Sequence, residues 1–506
     1  MNLLTDPIFT TDPLGALSLP GVLAGSARGE VRGFARLRPH QRAAWHMFRV
    51  QLSALALRAG GLAEPPEDEE MWRALLRALT PNLGDDPWRL VVEDRGRPAF
   101  LQPPDPGGLK WEPVPTPDAL DLLITARNHD VKAAIALDAR PEDWSYALVS
   151  LQTSEGYGGR SNFGIARMNG GSSSRPMLSL APAGSGGAPD PSSWWRRDLR
   201  VLLRGQNAET ILRRGGPALL WCLPWPEGRQ LAVQDLDPWF VEVCRRVRLM
   251  ARDGRLGAER AGSGSARVDA KAFAGALDDA WAPVHAAGDK RKALTLSEGR
   301  FDYRRIVDLL LGGDWIVPAA AEVQADEEAG DLVLVAEALA RGNSKTDGLK
   351  TREVPVPRHV LGLFMTDAGR VSTVAQAQMR EIANADAALR EAVALYAAGG
   401  DRAKLGKAHR QRAAAARARL DAFADRVFFE HLWERAAAMA GDEAAETRTR
   451  RRFKAALVEA ARRELDMAFG SIPCPSIEAP RAEVRARSRL EGLLRHHGLI
   501  EEVEHV

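Results

Sequence analysis

The chain has 506 residues, 45% hydrophobic and 27% charged, with a formal net charge of +2; this is ordinary globular composition, and the length suits two to four domains of about 100–200 residues each. Near-balanced charge excludes a protein that holds nucleic acid through its overall positive charge, so any such surface must come from local clustering. Three cysteines far apart in sequence, Cys222, Cys244 and Cys474, argue against a zinc ribbon or a disulfide framework, and without a signal peptide or an apolar run of roughly 18–20 residues the expected location is the cytoplasm, with no membrane contact.

In chain order, Met1-Asn2-Leu3-Leu4 opens a short apolar segment broken by Asp6-Pro7 and Asp12-Pro13. Pro39 predicts the start of a helix that turns Trp45, Phe48, Leu52 and Leu55 inward and closes at Gly60-Gly61. A second helix follows Pro65-Pro66, with Glu67 to Glu70 at its positive end and Trp72, Leu75, Leu76 and Leu79 buried. Short strands are predicted at Leu90–Val92 and Phe100–Leu101, then a proline-rich loop from Gln102 to Pro117.

Pro141-Glu142-Asp143 begins a helix with Trp144, Ala147, Leu148 and Leu151 on one face, expected to end at Gly156 in the left-handed conformation. The stretch that follows, Gly156-Tyr157-Gly158-Gly159-Arg160, is nearly bare backbone with N–H groups expected to be free to donate. Arg167 and Arg175 flank an Asn169-Gly170 turn signal. Bare backbone beside arginine suits a polyanion; an inert glycine-rich hairpin tip suits the residues equally well.

Residues 181–193 are rich in Gly, Ser and Pro and read as a mobile connection. Pro217 to Leu223 reads as a buried strand, while Phe240 to Met250 fits both helical and strand periods. Near Thr366-Asp367-Ala368-Gly369 the composition becomes alanine-rich, and breaks at Gly399-Gly400, Gly441 and Pro473 to Pro480 leave about four helices. Ile382, Ala385, Leu389 and Val393 form one apolar stripe, and Phe453, Leu457, Ala461, Leu465 and Phe469 another. The expected architecture is α+β: a large irregular mixed α/β N-terminal domain, residues 1–368, followed by a C-terminal four-helix bundle, residues 369–506.

The bundle carries basic clusters at Arg402, Lys404, Lys407, Arg410 and Arg412, at Arg448, Arg450, Arg451, Arg452 and Lys454, and at Arg481, Arg485, Arg487 and Arg489. A basic face gives sequence-independent, salt-sensitive affinity for phosphates; interspersed acids such as Glu430, Glu434 and Glu446 make a merely solvated face the competing reading. Chemistry is poorly supported. Lys345-Thr346 resembles the end of a phosphate-binding loop, but Ser344 and Leu339 stand where that motif needs glycine. His129-Asp130 places an imidazole beside a carboxylate, which would suit a nucleic-acid-processing nuclease, yet neighbours in sequence rarely face the same way.

Met1-Asn2-Leu3-Leu4 with Asp6, then Ala99-Phe100-Leu101-Gln102, then Gly156-Tyr157-Gly158-Gly159 resemble the CasA family, the large subunit of the type I-E CRISPR surveillance complex Cascade. The resemblance spans essentially the whole chain and implies a non-catalytic protein without cofactor, which reads the short duplex motif beside the target (the PAM) through the minor groove. It implies as partners the CRISPR RNA, the other Cascade subunits, double-stranded target DNA and the helicase-nuclease effector. On this resemblance Gly156, Tyr157, Gly158 and Gly159 match a glycine loop at the minor groove, and Lys271, upstream of Trp281-Ala282-Pro283, matches a lysine reaching the same groove. Gly342 to Thr346 matches a wedge loop under the PAM; the family's Asn-Gln is here Asn343-Ser344, leaving Asn343, Ser344 and Lys345 as its contact residues. Arg127, Asn128 and His129 fall where the family contacts guide RNA or neighbouring subunits, and Arg402, Lys404, Lys407, Arg410, Arg450, Arg451 and Arg452 would hold the displaced strand or DNA backbone. Some members bind zinc through cysteine pairs; those pairs are missing, so no metal is expected.

Overall fold

The computed structural model describes residues 1–121, 139–252, 254–286, 288, 290–327, 330–342, 345–439 and 443–500. Pro39 starts a 3-10 turn, Pro39–Gln41, that runs into the helix Arg42–Gly60, and Gly61 stops that helix at φ 66°. The helix is enclosed rather than amphipathic: every residue from Ala43 to Leu57 is buried, His46, Arg49 and Gln51 included. Asp68 caps the helix Glu69–Ala78 by accepting from the Met71 N–H at 2.8 Å, and Trp72 and Leu76 are its buried residues. Around these helices lies a core rich in aromatics, in which Trp45 stacks on Phe48 and meets Phe9, Phe34 and Tyr146.

Strands are short and divided among small sheets. Leu332–Gly342 is the middle strand of one, between Lys345–Val356 and Met177–Pro182, and it runs antiparallel to the latter with Leu334 opposite Leu180. Glu112–Val114, Arg255–Ala261 and Arg246–Arg252 make another. The ambiguous segment 240–250 is thus a strand from Arg246 onward. The connection expected at 181–193 is shorter than its composition suggests, since strand reaches Pro182 and the helix Pro191–Arg204 follows.

Three predicted strands are not strands. Leu90–Val92 is irregular, Ala99 and Gln102 form only an isolated bridge, and Leu101 has φ 54°. Pro217 to Leu223 contains a 3-10 turn, Leu220–Cys222, and a single parallel bridge from Leu219 to Val241. For Leu90–Val92 and Phe100–Leu101 the physical reason is visible in the hydrogen bonds: buried side-chain amides replace partner strands. Gln102 donates to Leu90 O and Phe100 O and accepts from the Leu249 N–H at 2.6 Å. Gln152, fully buried, donates to Leu101 O and Arg245 O and accepts from the N–H groups of Cys244 and Arg245. Irregular backbone can stay inside the protein because these groups are paired.

Contacts divide the chain into two units: Met1–Phe301 with Gly313–Glu322 and Asp331–Pro355, and Asp302–Gly312 with Val323–Gly330 and Val356–Val506. In the second, the helices Ala414–Ala438, Glu443–Ser471 and Ala479–His496 all pack on Ala368–Ala397. Both apolar stripes read from the sequence face this core, with Phe469 at its half-buried edge. Gly399 and Gly400, at φ 66° and 75°, end the first of these helices. The helix Tyr303–Leu311 joins the same unit, where Tyr303 stacks on Phe428 at 4.7 Å and its N–H donates to Asp425. The fold is therefore mixed α/β with C-terminal helices, and among the described residues no helix is long and apolar enough to cross a membrane.

Replacing Gln152 by leucine would strand four buried backbone groups at a cost of about 1–3 kcal/mol each when unrelieved. Gln152→Leu is expected to lower stability by about 3 kcal/mol or more, read as a lower urea midpoint, whereas substitution of exposed Arg402 changes it little.

Candidate nucleic-acid interface

The helix Pro141–Ser154 ends at Glu155, whose backbone is extended, and Gly156 does not take the left-handed conformation expected of it. The N–H groups of Gly156, Tyr157 and Gly158 are not free either. They donate to Ser173 O at 3.0 Å, Gly171 O at 2.7 Å and Asn162 O at 2.8 Å. Glycine is required here for close packing of backbone on backbone. A Cβ on Gly156 would lie 2.5 Å from both Gly171 O and Ser173 O, and one on Gly164 2.7 Å from the Gly156 carbonyl carbon. Gly159 differs: its φ is 112° and nothing lies within 4 Å of a Cβ built there. What the loop offers to solvent is the Tyr157 ring, 44% exposed and edge-on to Phe163, with Arg160 beside it.

The flanking arginines face inward. Arg167 donates to Phe240 O and Pro238 O and stacks on the Phe240 ring at 3.7 Å; Arg175 makes a two-pronged pair with Asp279 at 2.6 and 2.7 Å. Arg245, also buried, donates to Gly156 O at 2.7 Å and lies 3.8 Å from Glu155. Both carboxylate oxygens of Glu155 lack hydrogen-bond partners, and burial pushes its pKa well above the usual carboxylate range, with Arg245 pulling the other way. Glu242 accepts from the Ala166 N–H at 2.7 Å, and burial raises its pKa to about 7 against the pull of Arg167. These buried groups brace the loop from behind. Sequence reading missed them because Arg245, Arg246 and Arg248 look like surface charge; only their position among apolar strand residues hints otherwise.

One segment, residues 168–175, joins three of the predicted elements. It receives the Gly156 and Tyr157 N–H groups at its 171 and 173 carbonyls. The turn that follows Lys271 rests on it: a Cβ on Gly275 would lie 2.6 Å from Met168 C and 2.8 Å from Asn169 N. Ser174 exchanges hydrogen bonds with Leu339, on the strand leading to Gly342. Lys271 itself is exposed on a 3-10 turn, Lys271–Phe273. Asn343 and Ser344 lie outside the described residues, as do Arg127, Asn128, His129 and Asp130; Lys345 begins the strand Lys345–Val356.

Much of the basic charge in the helical unit is engaged locally. Arg410 makes a two-pronged pair with Glu391, Arg450 pairs with Glu381, and Arg452 with Glu434 and Glu430. Arg485 and Arg481 donate to the carbonyls of Gly400 and Gly399. Lys404 lies 3.8 Å from Glu478, while Arg402 and Lys407 are exposed beside it on the turn Arg402–Lys404 and the short helix Lys407–Gln411. Among the described residues no group of three or more His, Cys, Asp or Glu side chains could hold a metal ion, and the three cysteines are free thiols.

No protein-family model and no curated protein sequence matches the chain. Solved structures do. Cse1 from Acidimicrobium ferrooxidans superposes with a TM-score of 0.68 at 18% identity, covering 98% of each chain. CasA (Cse1) of Thermus thermophilus gives 0.64 at 16% identity over 98% of this chain and 99% of that one. A chain of a CRISPR RNA-guided surveillance complex gives 0.58 at 15% identity over 98% and 99%. The chain thus has the Cse1/CasA fold from end to end.

Gly156→Ala is expected to disrupt the loop through contacts that backbone atoms cannot relieve, detectable as faster hydrogen exchange at Tyr157 and Gly158. Gly159→Ala meets no atoms and carries only the cost of its φ, about 1–3 kcal/mol. For Glu242 the folded-state pKa lies above the unfolded value near 4.5, so the folded state binds the extra proton and this group's stabilisation falls as pH rises from about 4.5 to 7. Glu242→Gln keeps an acceptor for Ala166 and is expected to flatten that part of the stability–pH curve in urea titrations.

Proposed function

We propose that this chain, which carries the Cse1/CasA fold, is the large non-catalytic subunit of a type I-E CRISPR RNA-guided surveillance complex. In that role it reads the PAM of double-stranded DNA through the minor groove, helps start strand separation and R-loop formation, and provides docking for the helicase-nuclease. The observation that carries the reading is the likeness to Cse1 over 98% of both chains, joined to the order of the sequence motifs on it. The exposed Tyr157 tip, the Lys271 turn and the strand ahead of residue 343 all converge on residues 168–175.

The geometry alters how such a loop would work. With the N–H groups of residues 156–158 already bonded inward, contact with DNA falls to the Tyr157 ring, the open backbone at Gly159 and the side chains of Arg160 and Lys271. The minor groove offers a degenerate donor and acceptor pattern, so one lysine with a narrow backbone edge gives relaxed recognition of a few base pairs. A rigid tip matters because unstacking a base step costs a few kcal/mol, which groove contacts must offset. Residues 343–345 would supply the wedge, and guide pairing would then read sequence. Arg127, Asn128 and His129 would meet guide RNA or a neighbouring subunit. Lys407 and Arg402 are better placed for DNA backbone than Lys404, Arg410, Arg450 and Arg452, which have carboxylate partners.

The test is to assemble the complex with and without this chain and to measure binding to duplexes with and without a PAM. Preference for the PAM duplex only when the chain is present is expected; equal binding in all four cases overturns the reading. Lys271→Ala is expected to leave folding intact, weaken PAM-duplex binding and reduce the dependence of log K on log[salt] by about 1. Lys407→Ala should weaken binding alike with and without a PAM. The isolated chain is expected to cleave no nucleic acid, so cleavage that His129→Ala abolishes would favour a nuclease instead.

A further inference from the structure

Away from that interface, the first unit has a half-open cavity of about 460 Å³. Its floor is the helix Arg42–Gly60, which places Arg42, Trp45, His46 and Arg49 on one side. Arg49 is 2% exposed. Its guanidinium has one hydrogen bond, from Nη1 to Ser26 Oγ at 3.3 Å, and its Nε has none. It lies 4.8 Å over the Phe34 ring and 5.7 Å from that of Trp45. The other buried arginines described above close on a carboxylate or on backbone carbonyls; Arg49 has neither. Burial draws its pKa down to about 9, so it stays charged at neutral pH. A buried charge without an anion is costly to the fold, and an anion bound beside it would offset that cost.

A second unmatched group lines the same cavity. Glu337 is 1% exposed; one carboxylate oxygen is held by Arg42, and the other, Oε2, is buried without a partner. Arg42 and Arg49 are seven residues apart on one helix, about 10 Å along its axis. The lining of the cavity thus includes a cation without a carboxylate partner and a carboxylate with one unpartnered oxygen, together with Phe34, Trp45 and Trp194. Its volume is within the range of small-molecule sites. Arg38, held by Asp118, adds a further positive charge to the lining.

We propose that this cavity binds a small aromatic anion of the nucleoside monophosphate class, with its phosphate on Arg49, its ring against the aromatic wall and a ring amino group donating to Glu337 Oε2. The three features fix the class. Inorganic phosphate uses only Arg49, a nucleoside lacks the anion, and a uridine nucleotide lacks the amino donor.

Trp45 and Trp194 report directly, so the test is tryptophan fluorescence and calorimetry on the full chain with adenosine monophosphate, uridine monophosphate, adenosine and inorganic phosphate as probes. Saturable binding of adenosine monophosphate is expected, at least tenfold tighter than the other three. Arg49→Met is expected to weaken it at least tenfold while leaving the thermal midpoint equal or higher, because an unpaired buried charge has gone. Absence of saturable binding by the parent protein up to millimolar nucleotide overturns the proposal, as does equal binding of inorganic phosphate. A midpoint several degrees lower in Arg49→Met with unchanged nucleotide affinity assigns Arg49 to packing and overturns it too. Should that variant not fold, the parent's selectivity among the four probes decides.

Discussion

The buried amide of Gln152 makes four hydrogen bonds, and the glycine loop depends on them. It fixes the backbone of Cys244 and Arg245, and the Arg245 side chain then turns to hold Gly156 O. On its other side it holds Leu101, inside the Ala99-to-Gln102 turn. In regular structure these groups would pair within a helix or sheet; here the chain is irregular and side chains do the pairing. Gln102 does the same for Leu90, Phe100 and Leu249. The motif Ala99-Phe100-Leu101-Gln102 is therefore a structural clamp.

The same logic explains a basic protein interior. Arg245, Arg246 and Arg248 are consecutive or nearly so, and all are buried. Arg246 donates to Trp225 O and Arg248 to Arg97 O and Val92 O. A guanidinium with five donors can satisfy several scattered carbonyls at once, which suits loops that meet no strand. Arg49 stands apart because its donors find so little.

Residues 168–175 have a comparable organising role at the candidate interface. Glycine at 156, 164 and 275 lets backbones touch where side chains would intervene. The loop was legible as special because three glycines fall within four residues. Its mechanism was not legible: bare backbone suggested free N–H donors, and tertiary contacts use those donors internally. The arginines around it were also misleading, since charge in sequence carries no record of burial, and Arg167 and Arg175 find partners more than 70 residues away.

The sequence by itself determined the helices with clear punctuation. Pro39 and Gly61, Asp68, Asp367 and Gly399-Gly400 mark ends through local backbone preferences and capping, and the apolar stripes of the C-terminal helices set their inward faces. It also marked an irregular mixed α/β region, because Gly and Pro interrupt its apolar runs. Tertiary structure alone decided which short runs become strands, since a strand needs a partner and Leu90–Val92 has an amide instead. It alone brought Tyr303–Leu311 into the helical unit through Tyr303 and Phe428, and it alone separated arginines that face water from those that hold the loop. Local sequence encodes propensity and period; which distant group satisfies a buried donor is settled only when the chain closes on itself.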